Sequence, residues 1–195
     1  MFNRIVFINR LLDCAPSQNP QTLHADKLGS YPSLCSNNMT LRIHGIPASR
    51  AIRPLWAATE LGLAFDHVMT DYKGGHTRTP EFLALNPNGH IPALEDDTPA
   101  GKVVVWESMA CSLYIAKAHG KGDGSDLSCA NLKEEGEALR WAFWVMTEME
   151  KDALTVLMHR MAMPEAERKA DLAEAAEGRL RVPLRVLEGV LSSQA

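Results

Sequence analysis

Glutamate and serine stand side by side at Glu107-Ser108, where an apolar run, Lys102 to Trp106, gives way to a helical pattern beginning at Met109. At such a junction a serine hydroxyl and the helix's unpaired first amides can face an anion, while the neighbouring carboxylate accepts from an ammonium. The pair suits a group that carries both charges. Alternatively, Ser108 is a plain helix cap worth about 1 kcal/mol and Glu107 a solvated acid of the first turn. Ser49 lies just past an earlier strand pattern, at the mouth of another helix. There a hydroxyl and the positive end of the helix together favour an anion, or the hydroxyl serves only as a cap.

Other chemistry-bearing side chains are less organised. His90 occupies a turn-rich loop, Asn86-Pro87-Asn88-Gly89-His90-Ile91-Pro92, where an exposed imidazole is either a ligand contact or simply solvated. The seven histidines show no HExxH or paired spacing and the four cysteines no CxxC, so a metal centre is not expected and a reducing cytoplasm is the default setting. Cys111 falls within an apolar helical pattern and reads as a small buried hydrophobe. Arg50 and Arg53 either supply positive potential near the Ser49 turn or, as is usual for charges on a first helix, form its wet face, and Trp141 with Trp144 read as core or interface.

The elements that must position these residues are legible as a βαβαββα order between Met39 and Gly120. Leu41 and Ile43 alternate with polar residues as a strand beginning at Met39, and Ile52, Leu55, Trp56 and Thr59 follow at helical spacing up to Gly62. Pro54 is a tension there, since proline is comfortable only in a helix's first turn. A second strand is expected over Phe65 to Tyr72, a short helix over Pro80 to Leu85, and a hairpin whose arms, Ala93-Leu94 and Lys102 to Trp106, flank an acidic turn from Glu95 to Gly101. After a charged, Gly-rich linker everything reads as helix. A long one runs from Leu132 to Met161, and a second opens with Pro164 at its first position and bends near Pro183.

The domain organisation expected is a disordered extension over residues 1–38, an α/β domain over 39–120, a linker over 121–129 and a helical domain over 130–195. From Asp13 to Asn38 the extension is rich in Ser, Pro, Asn and Gln, a composition that cannot repay its ordering entropy. Net charge is -4 with no polybasic tract, which argues against nucleic acid as partner. The apolar start, Met1 to Leu12, is interrupted by Asn3, Arg4, Asn9 and Arg10 and is neither an export signal nor a membrane span.

With βαβαββα followed by helices, Pro-x-Ser at Pro47 to Ser49, Asn-Pro-Asn-Gly-x-x-Pro at Asn86 to Pro92 and Glu-Ser at Glu107-Ser108, the chain resembles the cytosolic glutathione transferases, bacterial type, from Met39 to Ala195. The resemblance implies a thioredoxin-like α/β domain followed by an all-α domain. It implies a cis peptide before Pro92, which would expose the Ile91 backbone for strand-like pairing with glutathione's cysteinyl unit; otherwise Pro92 merely opens a strand. By the same resemblance Glu107 and Ser108 hold the γ-glutamyl end, His90 reaches the glycyl carboxylate and Ser49 stabilises the thiolate. His44 stands where members often have tyrosine, which implies a serine-type enzyme. The family's helical domain usually runs further, so the chain is expected to be truncated, with Leu139, Phe143 and Met146 exposed. Glutathione is then the co-substrate, no metal is needed, and the protein is a cytoplasmic homodimer acting on small hydrophobic electrophiles. The alternatives are a non-catalytic scaffold or regulator of the same fold, or a glutathione-dependent isomerase, dehalogenase or peroxidase.

Overall fold

Alternation of Leu41 and Ile43 with Arg42 and His44 produces β1 (Leu41–His44) in the computed structural model, which describes residues 41–193. The arm expected over 1–38 and the strand start at Met39 lie outside the described residues. Helix α1 (Ile52–Glu60) follows, and Gly62, at φ 66°, ends it with its amide donating to the Thr59 carbonyl. Pro54 falls in the first turn, where its missing N–H has no intrahelical partner to lose.

Strand β2 (Asp66–Val68) is shorter than expected over Phe65 to Tyr72, because β1 offers it only the rungs Arg42↔Asp66, Ile43↔His67 and His44↔Val68. Helix α2 (Pro80–Leu85) is capped by Thr79, whose side chain accepts from the Phe82 amide. Strands β3 (Ala93–Thr98) and β4 (Gly101–Trp106) form a hairpin, and the sheet order is β2-β1-β3-β4, with only β1 and β2 parallel. Helix α3 (Ser108–His119) then packs beside α1. Leu41, Ile43 and Leu94 from the sheet meet Leu55 and Ala58 of α1 and Cys111 and Ile115 of α3 in the buried core. Each large apolar side chain so buried contributes roughly 1.5–3 kcal/mol.

The acidic turn expected from Glu95 to Gly101 is instead strand up to Thr98, and Glu95 and Asp96 are buried. Alternation sends them to opposite faces, and each finds partners remote in sequence. On the face away from the core Glu95 accepts from His44 Nε2 (2.9 Å), Lys102 Nζ (2.8 Å) and Arg42 Nη1 (3.4 Å). Burial alone would raise its pKa, yet bonds and charge from Lys102 and His44 outweigh that and hold it below the ordinary carboxylate value. On the core face Asp96, fully buried, accepts at Oδ2 from Tyr114 Oη (2.7 Å) and His119 Nε2 (2.8 Å) of α3. Its Oδ1 is the one buried side-chain oxygen or nitrogen without a partner among the described residues.

The long helix expected from Leu132 to Met161 is divided. Helix α4 (Leu132–Trp144), capped by Asn131, passes through a wide π turn, Val145–Met149, into α5 (Glu150–Leu157) and a second π turn, Met158–Ala162. Pro164 does not open the last helix: it precedes a short 3-10 turn, Glu165–Glu167, and α6 (Ala170–Ser192) begins after that. Helix α6 continues through Pro183 without ending. Leu139 and Phe143 are exposed as expected, whereas Met146 is half-buried, its Sδ 3.3 Å from Arg53 Nη1. Trp141 and Trp144 stack edge to face at 5.1 Å.

Candidate functional site

Gly45, immediately after β1, allows two loops to meet. A Cβ there would lie 2.6 Å from Ala51 Cβ and 3.4 Å from Ile91 Cβ, so only glycine admits this approach, and its φ of 145° further favours it. Ile91, in the loop before β3, is thereby set against the turn that carries Ser49. The Ile91–Pro92 peptide is cis, and Pro92 is buried. His90 is exposed; its carbonyl accepts from Asn86 Nδ2 at 2.7 Å, a bond that orders the loop without engaging the imidazole.

Ser49 does not cap α1. The cap position is Ala51, and Ser49 belongs to the preceding turn, where its Oγ donates to the Ile46 carbonyl (2.7 Å) and accepts from the Ala51 amide (3.1 Å). The amides of Ile52 and Arg53 are likewise taken up, by the Ser49 and Arg50 carbonyls. What α1 offers here is the field of its positive end with a half-buried hydroxyl beside it.

The junction of β4 and α3 also departs from a plain cap. Glu107 occupies the cap position at φ 72° and ψ 119°, with no side-chain capping bond, and it is the only non-glycine residue with positive φ among the described residues. A non-glycine residue held in such a region costs about 1–3 kcal/mol, and such residues concentrate where a side chain must be aimed. Ser108 is the first helical residue, 3% exposed, and its Oγ accepts from Arg53 Nη1 at 2.9 Å. We expect Glu107→Gly to stabilise the fold by about 1 kcal/mol, because released strain exceeds the added entropy of the unfolded glycine. Glu107→Ala keeps the strain and should melt as wild type; equal melting curves for all three proteins would refute strain at this position.

Arg50 and Arg53, expected on a solvated face, instead converge on Glu150, the first residue of α5. Arg50 Nε bonds Glu150 Oε1 and Arg53 Nη2 bonds Glu150 Oε2. Burial alone would raise the Glu150 pKa, but these two guanidinium groups outweigh it and hold the carboxyl below its usual value. Cys111 is fully buried as expected, and burial pushes its thiol up to about 12, which makes it inert as a nucleophile. His44 is buried against Glu95 and edge-on to Phe82. Among the described residues no group of three or more His, Cys, Asp or Glu could hold a metal ion, and no helix is long and apolar enough to cross a membrane.

The structure therefore brings Ala51, to whose amide Ser49 is bonded, and Ile91 together over Gly45, and links Ser108 to α1 through Arg53. Among the described residues no hydrogen bond or ring contact ties the His90 side chain to them. Sequence reading missed Glu150, which nothing near Arg50 or Arg53 in sequence announces, and preferred a solvated face for those two arginines.

Comparison with known proteins supplies independent findings. Residues 39–117 match the family model described as glutathione S-transferase, N-terminal domain. A glutathione S-transferase of Silene vulgaris is 38% identical over 105 residues, covering 53% of this chain and 46% of that protein. Glutathione S-transferase F10 of Arabidopsis thaliana is 30% identical over 156 residues, covering 79% of this chain and 70% of that protein. The chain thus spans about half the length of the first of these relatives. A solved theta class glutathione S-transferase from the citrus canker pathogen Xanthomonas axonopodis pv. citri, with glutathione bound, superposes with a TM-score of 0.68 at 27% identity over 78% of this chain and 70% of that one.

Proposed function

Because this chain belongs to the glutathione S-transferase family, we propose that it binds glutathione between the Ser49 turn, the Ile91–Pro92 loop and the Glu107-Ser108 junction, and transfers its thiolate to small hydrophobic electrophiles. The observation that carries this reading is the state of Ser108. A guanidinium can only donate, so the hydrogen bond from Arg53 makes Ser108 Oγ an acceptor and leaves its own proton free to be donated to an anion.

The roles follow from the geometry. Ser108 and the first amides of α3 receive the γ-glutamyl carboxylate, and Glu107, its side chain exposed at the strained cap position, accepts from the γ-glutamyl ammonium. The Ile91 backbone pairs with the cysteinyl unit, Pro92 shapes that approach, and His90 meets the glycyl carboxylate at the rim. Ser49 rotates its proton from the Ile46 carbonyl to the sulfur, exchanging a neutral acceptor for a charged and stronger one. With the thiolate so favoured, it attacks the electrophilic carbon, and the C–S bond forms as the leaving group departs with the electron pair.

In this reading residues 39–120 bind glutathione, 121–129 link, and helices within 130–195 line the electrophile's pocket, in a cytoplasmic homodimer of the serine-using kind. One observation favours a second reading, binding without turnover as a scaffold: the Ser49 hydroxyl is already committed to Ile46. Retention on immobilised glutathione, followed by a conjugation assay with an aryl halide, separates the two. We expect retention and conjugation; retention alone supports the scaffold, and a folded chain that passes through unretained refutes both.

A further inference from the structure

The face of the sheet turned away from α1 and α3 carries a cavity whose lining includes none of Ser49, Ile91, Pro92, Glu107 or Ser108. Its volume of about 340 Å³ lies within the roughly 300–1,000 Å³ of small-molecule pockets, which are mostly apolar with a few placed polar groups. Val68, the last residue of β2, and Phe82 and Leu85 of α2 supply apolar walls, and Met69 beside them is 65% exposed. Among the described residues no lysine or arginine lines it, whereas the exposed Glu81 does. Two threonines of the lining spend their hydroxyls locally: Thr70 Oγ1 donates to the Val68 carbonyl and Thr79 Oγ1 accepts from the Phe82 amide, each at 3.3 Å.

His44, buried and paired in register with Val68, is the polar group left over. Its Nε2 lies 2.9 Å from Glu95 Oε1. Against the desolvation that burial brings, Lys102 and His44 hold Glu95 below the ordinary carboxylate range, so it is ionised and can only accept. Nε2 therefore carries the ring hydrogen, and in the neutral imidazole Nδ1 keeps its lone pair. Nδ1 has no hydrogen bond among the described residues, and it is not sealed from solvent either, since Asp96 Oδ1 is the one buried side-chain oxygen or nitrogen without a partner there. An acceptor on a largely buried ring thus opens on an apolar cavity.

We infer that this cavity is a second binding site, independent of the glutathione reading, for a compact uncharged molecule with an apolar ring and a hydroxyl that donates to His44 Nδ1, the chemistry of a single-ring phenol. The ring fills the space between Val68, Phe82 and Leu85, and the hydroxyl satisfies the imidazole. An anion meets the Nδ1 lone pair and Glu81 with no cation to offset them, and an ether brings no proton.

The test uses the full chain at about pH 8, where phenol, like the tyrosine hydroxyl, keeps its proton and free imidazole is neutral. Proton–nitrogen correlation NMR of backbone amides and histidine rings follows titrations with phenol, anisole and benzoate. Phenol should bind with a dissociation constant of about 1 mM, modest because so small a molecule makes few contacts. It should shift the amides of Val68, Thr70 and Phe82 and move the unprotonated His44 Nδ1 upfield. Anisole should bind about fivefold more weakly, the scale of one hydrogen bond, without moving Nδ1, and benzoate more weakly still. His44→Phe should erase the preference for phenol over anisole, and Leu85→Trp, which fills the cavity from its wall, should abolish binding of both. Equal wild-type affinity for phenol and anisole, tighter binding of benzoate, an Nδ1 that phenol does not move, or shifts confined to residues away from the cavity overturns the inference. Those wild-type outcomes decide even where a variant fails to fold.

Discussion

Replacing Asp96 with alanine should destabilise the fold by about 3–5 kcal/mol, the range found when one member of a buried charged cluster is removed and its partners are left unpaired. Asp96 is fully buried on the core face of β3, and its Oδ2 holds Tyr114 and His119 of α3. Burial, the bond to Asp96 and its charge push the Tyr114 hydroxyl well above the ordinary tyrosine range, so it remains a donor throughout working pH. Asp96→Ala strands both donors. Asp96→Asn keeps one acceptor and removes the buried charge, whose Oδ1 is unpartnered in any case, so it should cost about 1–2 kcal/mol, nearer the price of one imperfect hydrogen bond. At about 2–4 °C per kcal/mol for a chain of this size, alanine should lower the melting temperature by roughly 10 °C and asparagine by a few degrees. Equal melting temperatures for the two variants would show that the acceptor asparagine keeps contributes nothing and that the loss of charge accounts for the whole effect. The consequence reaches the site, because Asp96 anchors the far end of the helix whose first residue is Ser108.

Ser49→Ala should lower turnover at neutral pH by about 100-fold, the scale set by removing one preorganised donor from a developing or resident anion. The direction of the pH effect follows from which form Ser49 favours. A hydroxyl that donates to sulfur stabilises the thiolate, so bound glutathione ionises below a free thiol's pKa of about 8.5. Alanine removes that bond, and the apparent pKa of the bound thiol rises. The deficit is therefore largest below the wild-type pKa and shrinks as alkali ionises the thiol unaided. Affinity for glutathione should stay near wild type, since the function proposed places the γ-glutamyl and glycyl contacts elsewhere. Stability should change little: Ser49 loses its bonds to the Ile46 carbonyl and the Ala51 amide in a half-exposed turn, where water can replace them. A pH-rate profile superimposable on wild type would remove Ser49 from the chemistry and leave the field of α1 as the agent.

Local pattern was sufficient wherever the deciding physics is local. Apolar alternation marks β1, helical spacing marks α1 and α3, a proline after threonine opens α2, and the junction at Glu107-Ser108 is readable because a strand period changes there to a helix period. It failed where a side chain's fate depends on distant partners. Glu95 and Asp96 read as a turn because acids are rarely buried, and their burial is compensated by Arg42, His44 and Lys102 on one face and Tyr114 and His119 on the other. Arg50 and Arg53 read as solvated for the same reason, since nothing near them in sequence announces Glu150.

The order of elements, βαβαββα followed by helices, and the residue types at the Ser49, Ile91-Pro92 and Glu107-Ser108 positions were legible in the sequence alone through periodicity and turn chemistry, while the thioredoxin-like arrangement came from the resemblance those motifs carry. Tertiary structure alone decided that Glu107 would stand at a positive φ, that Ser49 would sit in a turn before α1 and not cap it, and that Ser108 would accept from Arg53. The physical reason is that hydrogen-bond polarity and backbone strain are properties of a pair or of a closed chain path. A serine hydroxyl carries one donor and two acceptor lone pairs wherever it stands, and the guanidinium brought to it by the packing of α1 beside α3 occupies one lone pair and cannot take its proton.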